Sequence, residues 1–331
     1  MPHHRTPQFA RRLYAYTGEP HRVALDRLRR FPGRPIPTAS AAQQHLEHEI
    51  LRHIGYCGIT DGHGWRPGDG PFSIDWLGPL PDALEIGVTE TALPDLLGAL
   101  LPTWTPGDEP RGVRGLRPHF APRGVELRRL GLPGLLRLPG VRRQTFMRAA
   151  AVGHEMIWDD PDLTLMLWRT NPDQLHPEEQ AHANGFDAGY APESDGRAEM
   201  AATASALLRR HMIFRASQPA TDIRVWMNPG SVQVEWDAGP DHLTVIDALL
   251  DPVFGTPGQV KDRCTCREAE PRSSRCYSLH VEFPDAFVNL RRGRDCWSPQ
   301  YEQISARARQ QRVAALQRHR GAHALAYVPT C

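Results

Sequence analysis

Four cysteines in the last quarter of the chain have the side-chain type and spacing that a structural zinc site requires. Cys264 and Cys266 form a C-x-C pair. Cys276 follows after nine residues, and Cys296 follows after a further 19. Four thiolates can hold a tetrahedral Zn²⁺, and in an extended segment the two side chains of a C-x-C pair lie on one side, about 6–7 Å apart at Cα. We therefore predict these four cysteines as ligands of one zinc ion, with reduced unliganded thiols or redox-active thiols as the alternatives.

Histidine and glutamate residues form two further groups with side chains that bind metals. The first group recurs at every fourth position of a predicted helix, where the alternative is an ordinary solvated polar face. The second group lies in a proline-containing stretch, where no regular element fixes its geometry. A metal-dependent hydrolase is therefore only the third functional hypothesis. The groups are His45, Glu49 and His53, and His176, Glu179 and His182.

Arginine-rich segments with aromatic neighbours have the composition of a surface that binds nucleic acid. Guanidinium forks suit phosphate groups, and aromatic rings can stack on bases. We expect these arginines to form one continuous positive surface without carboxylate partners. The alternative is that they pair with acids such as Asp159, Asp160, Glu178 and Glu179. The candidate nucleic-acid-binding residues are Arg128, Arg129, Arg142, Arg143, Arg291, Arg292, Arg294, Trp297, Tyr301, Arg307 and Arg309.

The overall charge balance indicates no partner, but its distribution is uneven. The net charge is only +1, and Lys261 is the single lysine beside 38 arginines, a ratio that a GC-rich genome such as those of actinobacteria produces. Residues 111–148 contain ten arginines and one acid, whereas residues 155–251 contain 17 acids and six arginines. Such asymmetry favours either contact with nucleic acid or neutralisation of the acidic segment by the basic ones.

Apolar residues at helical spacing predict that the N-terminal part of the chain is helical. In the third helix, Ser40 and Gln43 have the pattern of a capping box, and Gly55 is a typical residue just beyond a helix end. Leu46 and Ile50 of this helix should face a core. The three helices are predicted over 8–16, 20–31 and 40–54.

Alternating apolar residues predict antiparallel hairpins in the rest of the chain. The clearest pair covers 223–227 and 232–236, joined by Asn228-Pro229-Gly230-Ser231, which suits a type II turn. With a helix on either side, residues 199–250 form a predicted α-β-β-α module whose core contains Trp236, Val234, Val245 and Leu249. Strands are also predicted at 72–76, 83–88, 155–158 and 163–168, helices at 93–101, 142–151 and 299–320, and a basic loop at 105–140.

Two segments resemble known groups of proteins. Arg11-Arg12-Leu13 followed by Thr17-Gly18-Glu19-Pro20 and Leu25 resembles the N-terminal helical segment of many uncharacterised actinobacterial proteins. Residues 223–250, with Val234-Glu235-Trp236-Asp237-Ala238-Gly239-Pro240, resemble small ββα domains of large polyvalent proteins of phages and plasmids. These resemblances imply a mobile-element or accessory context, and they imply no catalytic residue.

The sequence thus predicts an α+β protein with a helical N-terminal part, hairpin-plus-helix modules and a basic helical C-terminal tail. The absence of a signal-like start and of long apolar runs favours a cytoplasmic protein. The leading functional hypothesis is sequence-nonspecific binding of DNA or RNA by an accessory protein of a mobile genetic element. The alternative is a protein-interaction module with internally paired charge and a structural zinc. The predicted domains are 1–57, 58–150, 151–260 and 261–331.

Overall fold

A computed structural model describes residues 5–30, 34–60, 70–157, 162–181, 196–215, 221–228, 230–237, 239–256, 259–262, 277–283 and 286–292. The described chain contains both helices and antiparallel hairpins, which confirms the predicted α+β class. The predicted C-terminal tail lies outside the described residues. The helices are α1 (Arg5–Thr17), α2 (His21–Arg30), α3 (Ala41–Thr60), α4 (Leu93–Leu100), α5 (Arg143–Ile157), α6 (Leu167–Thr170), α7 (177–181), α8 (Gly196–Leu208) and α9 (His242–Leu249).

Most of the described strands belong to two five-stranded sheets. The first sheet has the order β1-β2-β6-β5-β4 and the second the order β10-β11-β12-β9-β8, while β3 and β7 form a separate two-stranded pair. The strands are β1 (Trp76–Leu80), β2 (Ala83–Gly87), β3 (Thr103–Trp104), β4 (Leu116–Ala121), β5 (Gly124–Arg129), β6 (Leu135–Pro139), β7 (Leu165–Met166), β8 (Thr221–Asn228), β9 (Ser231–Asp237), β10 (Gln259–Asp262), β11 (Tyr277–Phe283) and β12 (Ala286–Arg292).

The two large sheets repeat one topology. In each, a hairpin is followed by a helix and then by a three-stranded meander, whose last strand pairs in parallel with the second strand of the hairpin. Each hairpin is also preceded by a helix and a short 3₁₀ turn. We call residues 41–157 the first module and residues 196–292 the second module. This repetition favours an internal duplication, of which the sequence retains only a weak similarity between 95–102 and 245–252.

The parallel strand pair of each module contains a pair of apolar residues in register. In the first module Leu84 pairs with Leu136, and in the second Val232 pairs with Val288. All four side chains are fully buried. The equivalence therefore extends from strand order to the side chains that form the core.

Equivalent elements of the two modules pack against each other. Helix α3 lies against α8, and the 3₁₀ turn Pro71–Ser73 lies against the turn His211–Phe214. Contact between equivalent elements is the arrangement of a twofold interface between identical subunits. Buried apolar side chains from both modules form one continuous cluster.

The α-β-β-α module predicted over 199–250 is confirmed. Trp236, Val234, Val245 and Leu249 are all buried, as the alternation and the helical stripe indicate. Gly230 has a φ of +73°, the positive value that the third position of a type II turn requires.

The prediction of a basic loop over 105–140 is wrong. These residues contain β4, β5 and β6. The glycines that suggested a loop lie at the ends of these strands, with Gly115 just before β4, Gly124 at the first residue of β5 and Gly134 just before β6. Gly115, Gly124 and Gly134 all have positive φ. The apolar residues between them alternate, and Val125 and Leu127 are buried.

Other local predictions are wrong as well. The strand predicted at 72–76 is replaced by the 3₁₀ turn Pro71–Ser73, and β1 begins only at Trp76. The strand predicted at 163–168 is limited to Leu165–Met166, after which α6 begins. Residues 155–157 form the last turn of α5 instead of a strand, because Phe146, Ala149 and Met156 continue a buried helical stripe. The capping box at Ser40 does not form. The side chain of Gln43 is instead buried, where it accepts a hydrogen bond from the amide of Leu135 and donates one to Glu47.

No helix in the described part of the chain combines the length and the apolar character needed to cross a membrane.

Candidate functional site

Three exposed arginines lie at one corner of the first sheet, where the β4–β5 turn meets the start of α5. The amide of Gly140 donates a hydrogen bond to the carbonyl of Arg123 at 3.0 Å, which holds the turn beside the β6–α5 connection. Arg142 and Arg143 follow immediately at the start of α5. The guanidinium of Arg143 lies 5.1 Å from the ring centre of Phe120 on β4. We call Arg123, Arg142 and Arg143 the arginine cluster.

The arginine cluster is electrostatically uncompensated within the described residues. None of its three guanidinium groups is bonded to a carboxylate there. The first turn of α5 contains no acid, although the positive end of the helix dipole favours one. The positive charges of the three arginines and the positive end of the α5 dipole therefore lie at the same corner. Both would stabilise an anion bound there.

The cluster contains two predicted site residues, Arg142 and Arg143, but Arg128 lies elsewhere. The Nε of Arg128 donates to Glu126 at 3.2 Å, because residues two apart on β5 project to the same face. Hydrogen bonds from Arg128 and Arg137 hold the pKa of Glu126 below its usual value. The expectation that Arg128 has no carboxylate partner is therefore wrong.

Arg129 projects from the opposite face of β5. It follows Val125 and Leu127 on the inner face, and its Nε is buried. Burial would raise the pKa of Glu49 on α3, but the nearby positive charges, including that of Arg129, lower it. Arg128 and Arg129 therefore do not share one exposed surface.

The remaining predicted site residues are described only in part or not at all. Arg291 and Arg292 belong to β12, where Arg291 pairs in register with Glu235 of β9. The other residues lie outside the described part of the chain, so the zinc site and the aromatic contacts stay predictions. These residues are Arg294, Trp297, Tyr301, Arg307, Arg309, Cys264, Cys266, Cys276 and Cys296.

The histidine groups are also placed only in part. On α3, the Nε2 of His53 lies 3.9 Å from a carboxylate oxygen of Glu49. Glu179 is an ion-pair partner of Arg117, and His182 lies outside the described residues. Among the residues that are described, no three His, Cys, Asp or Glu side chains come together as metal ligands would.

Glu179 is one of the acids that could have paired with the predicted site arginines, but it pairs with another arginine, Arg117. Glu179 and Arg117 are buried and joined at 2.7 Å. Burial would raise the pKa of Glu179, but hydrogen bonds from Arg117 and from the amides of His176 and Gly115 hold it below its usual value. A basic and an acidic segment thus neutralise each other in the interior at this point.

Sequence reasoning missed Arg123 because it stands alone between Pro122 and Gly124, in a stretch interpreted as loop. The available signal was the alternation on either side of Ala121-Pro122-Arg123-Gly124, which is typical of a hairpin. Comparison of the chain with known protein families, curated proteins and solved structures found no match.

Proposed function

We propose that this protein is a sequence-nonspecific nucleic-acid-binding accessory protein of a mobile genetic element. The observation that carries the proposal is the arginine cluster at the start of α5. Its three guanidinium groups, which have no carboxylate partner in the described residues, can each contact a phosphate. The mobile-element context rests on the resemblance of residues 223–250, and a relaxase, integrase or replication gene beside this one would support it.

Phosphate contact accounts for the character of the cluster better than base recognition does. An arginine at the start of a helix adds its positive charge to that of the helix end. The two together favour binding of a chain of phosphates such as a nucleic-acid backbone. Phosphate contacts carry no information about the base sequence. Binding should therefore be similar for unrelated sequences and should weaken steeply with salt.

The test is fluorescence anisotropy with two labelled duplexes of unrelated sequence, over a range of salt concentrations. Neutralising the cluster with Arg123→Gln, Arg142→Gln and Arg143→Gln should weaken binding to both duplexes equally. If all three contact phosphate, the log–log salt slope should become shallower by about 2.7, from about 0.9 per contact. Reversing Arg291, Arg292 and Arg294 to Glu tests the predicted second basic segment in the same assay.

The matched control changes three exposed arginines on other helices. Arg11, Arg22 and Arg169 are exposed, and their replacement by Gln removes the same net charge. This control should keep the wild-type slope. Lack of binding by the wild-type protein at low salt, or an equal loss in the control, would contradict the proposal.

A protein-interaction module is the second candidate, because some basic and acidic segments do pair internally. Arg117 pairs with Glu179 and Arg12 with Asp251. Internal pairing of this kind would explain the uneven charge without any nucleic acid. This candidate includes a structural zinc at the four cysteines, for which the purified protein should contain about one equivalent of zinc.

A further inference from the structure

One side of α8 lines a cavity of about 920 Å³. One wall is the connection 34–39 between α2 and α3, and another is the segment 250–256 that follows α9. The floor includes Ala202 and Ala206, which lie one turn apart on α8. Most of the surface is apolar, and it includes Ile36, Pro37, Leu250 and Val253.

Three arginines line this cavity, and two of them lack an acidic partner in the described chain. Arg209 is neutralised by Glu47, which accepts from its Nε at 2.7 Å. Arg210 is buried, yet it donates only to the carbonyls of Ala206, Phe254 and Gly255, at 2.7–2.9 Å. These carbonyl groups accept hydrogen bonds from the N–H groups of Arg210 but supply no formal negative charge.

Arg34 is the second of these cations, and it also lines the cavity. It is exposed and donates to the hydroxyl of Thr38 at 3.3 Å. Burial, together with the charges of Arg209 and Arg34, lowers the pKa of Arg210 to about 10. The cavity wall therefore has a surplus of positive charge.

The acids that line the cavity already have partners. Asp251 bonds to Arg12 and accepts from the amides of Val253 and Phe254. Glu199 is half-buried on the first turn of α8 and makes an interaction of its own. Neither carboxylate is bonded to Arg34 or Arg210, so the surplus charge remains available to a ligand.

We propose that this cavity binds a small amphipathic anion, with an apolar body against α8 and an anionic head at Arg34 and Arg210. A volume of about 920 Å³ suits a small organic molecule, and a mostly apolar lining with a few convergent polar groups is typical of such sites. An anionic head would supply the charge that the carbonyl partners of Arg210 do not. This inference is independent of nucleic-acid binding at the arginine cluster.

The test is isothermal titration calorimetry with octanoate, and with octylammonium as a probe of equal length and opposite charge. The wild-type protein should bind octanoate and should bind octylammonium at least tenfold more weakly. Arg34→Gln should weaken octanoate binding about tenfold, because a charge-assisted hydrogen bond is lost. Arg34 is exposed and bonded only to Thr38, so this variant should fold normally.

A matched pair of variants on α8 tests the location. Ala202→Phe should fill the cavity and abolish octanoate binding. Ala198→Phe, on an exposed face of the same helix and outside the cavity lining, should bind like the wild type. Equal affinity for both probes, no octanoate binding by the wild type, or unchanged binding by a folded Ala202→Phe variant would each overturn the proposal.

Discussion

The fully buried histidine His211 should make the stability of the protein depend on pH in a defined window. It lies in the 3₁₀ turn after α8, where its Nε2 is 3.3 Å from the carbonyl oxygen of Ile74. Burial lowers its pKa to about 3; the hydrogen bond to Ile74 opposes this shift and the charge of Arg215 adds to it. The ring is therefore neutral in the folded protein at every pH above that value.

The sign and size of the effect follow from proton linkage. In the unfolded chain the pKa of a histidine is about 6.5, so below that pH the unfolded state binds a proton that the folded state does not. The contribution is fully present above pH 6.5 and is lost as the pH falls toward 3. Integrating the difference between pH 7 and pH 5 gives a loss of about 2 kcal/mol from this residue alone.

The assay is urea unfolding of the wild type and of His211→Gln at pH 7 and pH 5. Glutamine does not titrate, so the variant should lose about 2 kcal/mol less than the wild type between the two pH values, whatever its stability at pH 7. His119→Gln removes an exposed histidine and serves as the control. An equal loss in the wild type and in His211→Gln would refute the assignment of a neutral buried ring.

Two further predictions concern the core and the contact between modules. Leu249→Ala should lower the free energy of unfolding by about 2–4 kcal/mol, since the side chain is fully buried; a loss under about 1 kcal/mol in urea unfolding would contradict its place in the core. Glu47→Gln should cost about 3–5 kcal/mol in the same measurement, because Arg209 would stay buried without a counter-ion; adding Arg209→Met should recover part of the loss, and no recovery would rule out the charge explanation.

Local patterns were sufficient to predict the hairpin and helix of residues 199–250, because their periodicity, turn and core lie within one short segment. The end of α3 was predicted wrongly for a reason that sequence cannot supply. Gly55 does not end the helix. It allows close contact with β8, since a Cβ atom at this position would lie 2.5 Å from the Cβ of Val225. This contact exists only because the fold brings α3 against β8, so the sequence around Gly55 does not reveal it.

The residues of the candidate site that are neighbours in sequence could be predicted, whereas those that only the fold brings together could not. Arg142 and Arg143 are neighbours in sequence and could be identified together. Arg123 lies beside them because of the backbone hydrogen bond from Gly140 to Arg123. That hydrogen bond depends on the pairing of β5 with β6. The cavity beside α8 depends on segments more than 150 residues apart, so no local pattern indicates it.

The ion pair between Glu47 and Arg209 has a consequence for the order of assembly on the ribosome. The two residues are 162 positions apart, which corresponds to about 8–32 seconds of synthesis at bacterial and eukaryotic rates. During that interval the face of α3 that later packs on α8 is uncovered, and Glu47 must remain in contact with water. The first module can complete its own sheet at β6, but its exposed helix stays a target for chaperones or for the α3 of another nascent chain until α8 emerges.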